Sequence, residues 1–355
     1  MKKTLLSEDK LKPLYDDPMK LDFGSVFTDY MFVMKYKEDK GWYDAEIKPY
    51  DNISLDPSAI VFHYGQEVFE GQKAYLSPDD EILMFRPCEN AKRMNRSLER
   101  MCMPQIPEDI YIKAEEELLK LEKRWIPRIK GSALYIRPTV IGTEPGLGVR
   151  PAKEFLFFII LSPVGPYYKE GFNPIGLWAC EDYTRAVVGG TGEAKTGGNY
   201  AGSLKAILEA KKMGYSQVLW LDAIEHKYVE EVGAMNMFFV INNKLVTAPL
   251  KGSILPGITR KSIIEMAYDI GIGVEERPVS MDEIVKGVED GSLQEAFGAG
   301  TAAVISPVGK IFYRGKEYVI NNNKTGKWAQ KIFEVLTSIQ YGESEDKYNW
   351  VYKVK

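Results

Sequence analysis

The segment GGTGEAKTGGNYAG, Gly189 to Gly202, sets one lysine, Lys195, among glycines and runs into a helical pattern. One reading is a phosphate loop, since G-x-x-x-x-G-K-[ST] nearly fits Gly189 to Thr196 and QVLWLD ends in an acidic residue, Asp222, suited to magnesium. Ala194 stands where that motif requires glycine, and a side chain there crowds backbone that must approach a phosphate. Gly197 and Gly198 also interrupt the helix that should start at that point. A second reading makes Lys195 a Schiff-base lysine. Such a lysine must be reachable by a planar partner, which flanking glycines permit, and must lose its proton easily, which burial favours. The third is a solvated lysine in a loop. The segment alone leaves these open.

Its surroundings carry matching chemistry. KYVEEVGAMNMFF puts Glu230 and Glu231 at the start of an apolar strand, where a carboxylate needs a cationic partner. A protonated pyridine nitrogen is such a partner. The plainer reading leaves both glutamates at the surface. SILPGITRKSIIEMA places Pro256-Gly257 before a helix whose first amides belong to Ile258 and Thr259, and a helix N-terminus favours an anion by ~0.3–1 kcal/mol. FGAGTAAV sets small residues around Thr301, so backbone amides and a hydroxyl can approach a phosphate or carboxylate. Each of these two segments alone reads equally well as a plain turn. Lys92, Arg93, Arg96 and Arg100 recur along CENAKRMNRSLER, and helix geometry turns most of them to solvent.

The 355 residues, 45% hydrophobic with net charge −4, suggest two domains of ordinary globular composition. A mildly acidic balance excludes a sequence-blind grip on nucleic acid or an anionic membrane. With two histidines, His63 and His226, and three scattered cysteines, no metal site and no disulfide framework is expected. The opening MKKTLLSEDK lacks a signal-peptide core, and the longest apolar run, FLFFIIL (Phe155 to Leu161), is too short to span a bilayer. A cytoplasmic protein with no membrane partner is expected.

Strand-like and helical stretches interleave without a regular βαβ beat, which argues for two α/β (α+β-like) domains over one doubly wound sheet. Strands are expected at Val26–Tyr36, Ala133–Thr143, Glu154–Val164 and Ile175–Cys180. Helices are expected at Pro87–Met103, Glu108–Lys130, Tyr200–Met213 and Ile258–Ile270. Asn242-Asn243 should turn a hairpin, and Ser280 with Glu283 forms a capping box. GPYYKEGFNP breaks the pattern, so the boundaries are 1–165 for a smaller N-terminal domain, 166–174 for a linker and 175–355 for a larger C-terminal domain.

Eight blocks in order, FHYGQEVFEGQKAY, FRPCENAKRMNRS, LYIRPTVIGTEPGLGV, GGTGEAKTGGNYA, QVLWLD, EVGAMNMFF, GSILPGITRKS and FGAGTAAVISPVG, make the chain resemble the branched-chain amino acid aminotransferases. These are class IV (fold type IV) pyridoxal-phosphate enzymes, and the resemblance spans about Leu21 to Tyr341. It implies a homodimer that moves the amino group of leucine, isoleucine or valine to 2-oxoglutarate. It implies that Lys195 holds pyridoxal 5'-phosphate and shuttles the proton, Tyr200 meets the phenolic oxygen and Glu231 the ring nitrogen. Arg93, the amides of Ile258 and Thr259, and Thr301 would take the phosphate. Tyr64 with the amides of Ala234 and Ala302 would take the substrate carboxylate. Phe23, Phe69 and Tyr135 would line an apolar pocket, with Arg137 for the distal carboxylate of glutamate. The redox-active C-x-x-C of the mammalian enzymes is replaced here by Ala303 and Ser306, so thiol regulation at that place is not expected. The rival readings are a D-amino acid transaminase or an aminodeoxychorismate lyase of the same class, a nucleotide-binding module, and a scaffold without turnover.

Overall fold

The computed structural model describes residues 1–166 and 172–355; the expected linker therefore falls partly outside the described residues. The chain forms two compact units. One comprises Met1–Tyr167, Ala194–Gly197 and Ser338–Lys355; the other comprises Tyr168–Glu193 and Gly198–Thr337. Each is built on its own nine-stranded sheet, so the mixed α/β class holds.

In the first unit the strands run in the order Lys2–Lys3, Gly41–Pro49, Tyr30–Lys37, Glu154–Val164, Ala133–Gly142, Gln72–Leu76, Ile82–Phe85, Val351–Lys353, and Glu67–Phe69 pairs with Ala133–Gly142. All neighbours but the first pair are antiparallel. The alternation of Glu154–Val164 sends Phe155, Phe157, Ile159 and Leu161 into the core. Helices Pro87–Arg100 and Glu108–Leu121 add Met94, Leu98, Leu118 and Leu119. Each such side chain contributes about 1.5–3 kcal/mol on full burial.

The second of these helices stops well short of the expected Lys130. Glu122 turns inward to accept the Tyr30 N–H, and a short 3₁₀ turn, Lys123–Trp125, buries Trp125 with its indole N–H 2.7 Å from Asp29. A tertiary polar network thus overrides local helical periodicity.

In the second unit the order is Val229–Val232, Gln217–Leu221, Ile175–Cys180, Val304–Tyr313, Leu293–Gly300, Met235–Ile241, Lys244–Thr247, Gly273–Glu276. Lys316–Val319 pairs with Val304–Tyr313, and Val229–Val232 also pairs with Met235–Ile241, which closes the intervening strands into a ring. The hairpin between Met235–Ile241 and Lys244–Thr247 turns at Asn242 and Asn243, both with positive φ (49° and 61°) as a tight turn of that hand requires. Ser280 caps the helix Met281–Asp290 by accepting the Glu283 N–H. The stretch expected as one helix over Tyr200–Met213 is instead two, Gly197–Ala201 and Leu204–Lys212. Among the described residues no helix is long and apolar enough to cross a membrane, and no group of three or more His, Cys, Asp or Glu is placed to hold a metal. The three cysteines are free.

Candidate active site

Lys195 belongs to the first unit, carried by the short stretch Ala194–Gly197. Its peptide is gripped from two sides. The Lys195 N–H donates to Ser97 Oγ at 3.0 Å, and its carbonyl accepts the Phe69 N–H at 3.0 Å. The half-buried side chain reaches over the Phe69 ring, with Nζ 4.9 Å from the ring centre. Beside it, Thr196 Oγ1 is buried without a hydrogen-bond partner.

Phe69 links this lysine to the expected pocket residues. The Arg137 guanidinium lies 4.7 Å from the Phe69 ring centre and 5.2 Å from that of Tyr135. Arg137 donates from Nη2 to the Tyr135 hydroxyl at 3.0 Å, while its Nε is buried with no hydrogen-bond partner. Phe23 packs edge-on against Tyr135 at 4.8 Å. The first unit therefore brings Phe23, Phe69, Tyr135, Arg137 and Lys195 together. Tyr64 ends the short helix Ile60–Tyr64 and points its hydroxyl at the Leu147 carbonyl instead.

Arg93 lies on the same helix as Ser97, one turn earlier, and is buried. Its charge is met by Glu70, which sequence reasoning missed: Nε is 2.7 Å from Oε1 and Nη2 is 2.9 Å from Oε2. Burial alone would raise the Glu70 carboxyl. Arg93, Lys195 and Asn90 together hold it below the usual carboxylate range.

In the second unit Glu231 is buried and answered by Arg185, whose Nε is 2.5 Å from Oε2. Asn236 donates from Nδ2 to Glu231 Oε1 at 3.0 Å and to the Leu255 carbonyl at 2.9 Å. That amide ties the carboxylate to the turn before helix Ile258–Ala267. Gly257 leaves room for that amide, since a Cβ there would press on Asn236 Oδ1 and displace it. No side chain caps this helix, so the amides of Ile258 and Thr259 have no intrahelical acceptor. Glu230, the surface candidate, is half-buried and bonded to Ser253, and burial raises its carboxyl.

Asn236 pairs in register with both Glu231 and Ala299. Ala234 occupies the turn between Val229–Val232 and Met235–Ile241; Thr301 and Ala302 occupy the turn that follows Leu293–Gly300. A Cβ at Gly300 would lie 3.9 Å from the Ala234 carbonyl, so these two turns are neighbours at one end of the sheet. Tyr200 is half-buried in Gly197–Ala201, beside Asn199, whose side chain clips the loop back to Thr191 at 2.7 and 2.8 Å. Asp222, the acidic residue of the phosphate-loop reading, is consumed locally. Its carboxylate accepts the N–H groups of Ile224, Glu225, Lys227 and Tyr228.

Arg185, Glu70 and Asn236 escaped the sequence reading. Arg185 and Glu70 each partner a charged residue distant in sequence, Asn236 reaches Glu231 across a strand pair, and only a buried carboxylate's need for a counter-charge hinted at one of them.

The family model for class IV amino-transferases matches residues 67–311. The chain is 52% identical over 350 residues to branched-chain-amino-acid aminotransferase 2 of Bacillus subtilis, covering 99% of this chain and 96% of that one. It is 53% identical over 335 residues to a probable branched-chain-amino-acid aminotransferase of Staphylococcus aureus, covering 94% and 93%. Among solved structures it is similar to the Escherichia coli branched-chain amino acid aminotransferase, with TM-score 0.78, 27% identity, and coverage of 92% of this chain and 99% of that one. It is also similar to the T.th. branched-chain amino acid aminotransferase solved with pyridoxamine 5'-phosphate, with TM-score 0.74, 25% identity, and coverage of 91% and 98%.

Proposed function

The chain belongs to the class IV aminotransferases and, within them, to the branched-chain-amino-acid aminotransferases, and from that premise we propose how its residues share the reaction. It is a pyridoxal 5'-phosphate-dependent transaminase that moves the amino group of leucine, isoleucine or valine to 2-oxoglutarate. The relatives favour this over a D-amino acid transaminase or an aminodeoxychorismate lyase.

The residues present fit the cofactor: a half-buried lysine, a buried carboxylate held by Arg185 and Asn236, and a helix end with open amides. When bound, the cofactor supplies an electron sink for the carbanion at the substrate α-carbon. Lys195 is the covalent anchor and the base that carries the α-proton. Glu231 keeps the pyridine nitrogen protonated, and Tyr200 hydrogen-bonds the phenolic oxygen. Arg93, the amides of Ile258 and Thr259, and Thr301 bind phosphate. Tyr64 and the amides of Ala234 and Ala302 orient the substrate carboxylate. Phe23, Phe69 and Tyr135 exclude water around the aliphatic side chain, and Arg137 receives the distal carboxylate of glutamate.

The observation that carries this assignment is the two-sided grip on the Lys195 peptide, which fixes the lysine against the Phe69 ring. The test is glutamate formation from 2-oxoglutarate with L-leucine, L-isoleucine or L-valine. Turnover with D-leucine, or release of pyruvate from aminodeoxychorismate, would overturn it. The proposal includes a cytoplasmic homodimer. Exposed Phe62, Leu147 and Val149 on the first unit support a subunit contact, and light scattering at the mass of two chains is the expected result.

A further inference from the structure

Glu67 has no part in the roles above, yet it bonds the lysine segment and lies within electrostatic reach of Arg137. The strand Glu67–Phe69 pairs antiparallel with Ala133–Gly142, Glu67 opposite Ile141 and Phe69 opposite Thr139. Strand alternation then puts Glu67 and Phe69 on the same face as Arg137 and Tyr135. On that face Arg137 and Lys195 both lie against the Phe69 ring.

The Glu67 carboxylate accepts the Gly197 N–H, two residues beyond Lys195. The approach is close: a Cβ at position 197 would meet Oε1 and displace the carboxylate from this position. Burial raises the Glu67 carboxyl above its ordinary value, and the Gly197 amide and the Arg137 charge oppose that rise. Arg137 is otherwise short of partners: Nε has none, and Nη2 bonds only a neutral hydroxyl.

We propose that Glu67 is a specificity-determining residue, the internal anion that balances Arg137 whenever the pocket holds an aliphatic side chain. This rests on the reading of Arg137 as the receiver of the distal carboxylate. A guanidinium left against a branched aliphatic chain is an uncompensated half-buried charge, and such charges are costly. Glu67 removes that cost for leucine, isoleucine or valine. It also imposes one on glutamate and 2-oxoglutarate, whose second carboxylate must share the cation with a fixed neighbour of like charge. One pocket thereby accepts both substrate classes without binding the dicarboxylic one too tightly to release it.

The test compares binding of two unreactive probes, glutarate and 4-methylvalerate, to the cofactor-loaded enzyme by calorimetry. In Glu67→Gln the amide oxygen still accepts the Gly197 N–H, so the lysine segment keeps its anchor. The ratio of glutarate to 4-methylvalerate affinity is expected to rise roughly fivefold or more, the scale of one charge interaction across a half-buried pocket. Glu67→Asp, which keeps the charge, should move the ratio less. In Arg137→Ala the ratio should fall. An unchanged or lowered ratio in Glu67→Gln, or an equal change in Glu67→Asp, overturns the role of Glu67 alone. An unchanged ratio in Arg137→Ala overturns the reading of Arg137, and this inference with it.

Discussion

Arg93 and Glu70 meet at two points inside the first unit, with Nε 2.7 Å from Oε1 and Nη2 2.9 Å from Oε2, and both residues are buried. Two bonds fix the plane of the guanidinium, so the arginine is oriented before any ligand arrives. Glu70→Gln leaves a buried cation without its counter-charge. Such a break costs about 3–5 kcal/mol. Urea unfolding should show a loss of that order, and fluorescence titration should show weaker pyridoxal 5'-phosphate binding. Unchanged stability would mean the pair is dispensable.

Lys195→Ala removes the covalent anchor and the proton carrier together. The variant should bind the cofactor weakly, lack the visible band of lysine-bound cofactor, and show no amino transfer from leucine to 2-oxoglutarate. Turnover near that of the unaltered enzyme would refute the assignment.

Glu231→Gln keeps the shape of a side chain that Asn236 and Arg185 hold in place, and removes its charge. The chemical step should therefore suffer more than binding. Steady-state kinetics should show a kcat lowered by at least about tenfold, the effect of ~1.4 kcal/mol in the barrier, with a smaller change in KM. Equal losses in both would count against a pyridine contact.

How legible was this in the sequence? The strand Glu154–Val164 carries its own alternating pattern, the Asn242-Asn243 turn its left-handed residues, and Ser280 its cap three residues before Glu283. Each of these is local chemistry. The eight ordered blocks pointed to the family, which the relatives establish. What sequence could not show are the long-range partners. Glu70 reaches Arg93 across 23 positions, and Arg185, outside any strand, meets Glu231 from a segment far upstream. The end of helix Glu108–Leu121 is of the same kind, since Asp29 and Tyr30, far upstream, take up Trp125 and Glu122.

Glu122 also gives a pH dependence. Burial pushes its carboxyl up to about 7, against an ordinary value of 4.5, and its Oε2 has no hydrogen-bond partner. The folded chain thus holds a proton that the unfolded chain has released between those values. Stability from this group is present below about pH 4.5 and is lost as pH rises through about 7, up to ~3 kcal/mol. Glu122→Gln should flatten that fall in unfolding free energy measured between pH 5 and 8. An identical slope in both proteins would contradict the assignment.

The central claim is that Lys195 holds a cofactor which takes an amino group from leucine and gives it to 2-oxoglutarate. The most direct measurement is the visible spectrum of the cofactor-loaded protein on adding L-leucine and then 2-oxoglutarate. The band of lysine-bound cofactor should disappear with leucine, as the pyridoxamine form accumulates, and return with 2-oxoglutarate. A band that leucine leaves unchanged, or no band after cofactor is supplied, would contradict it.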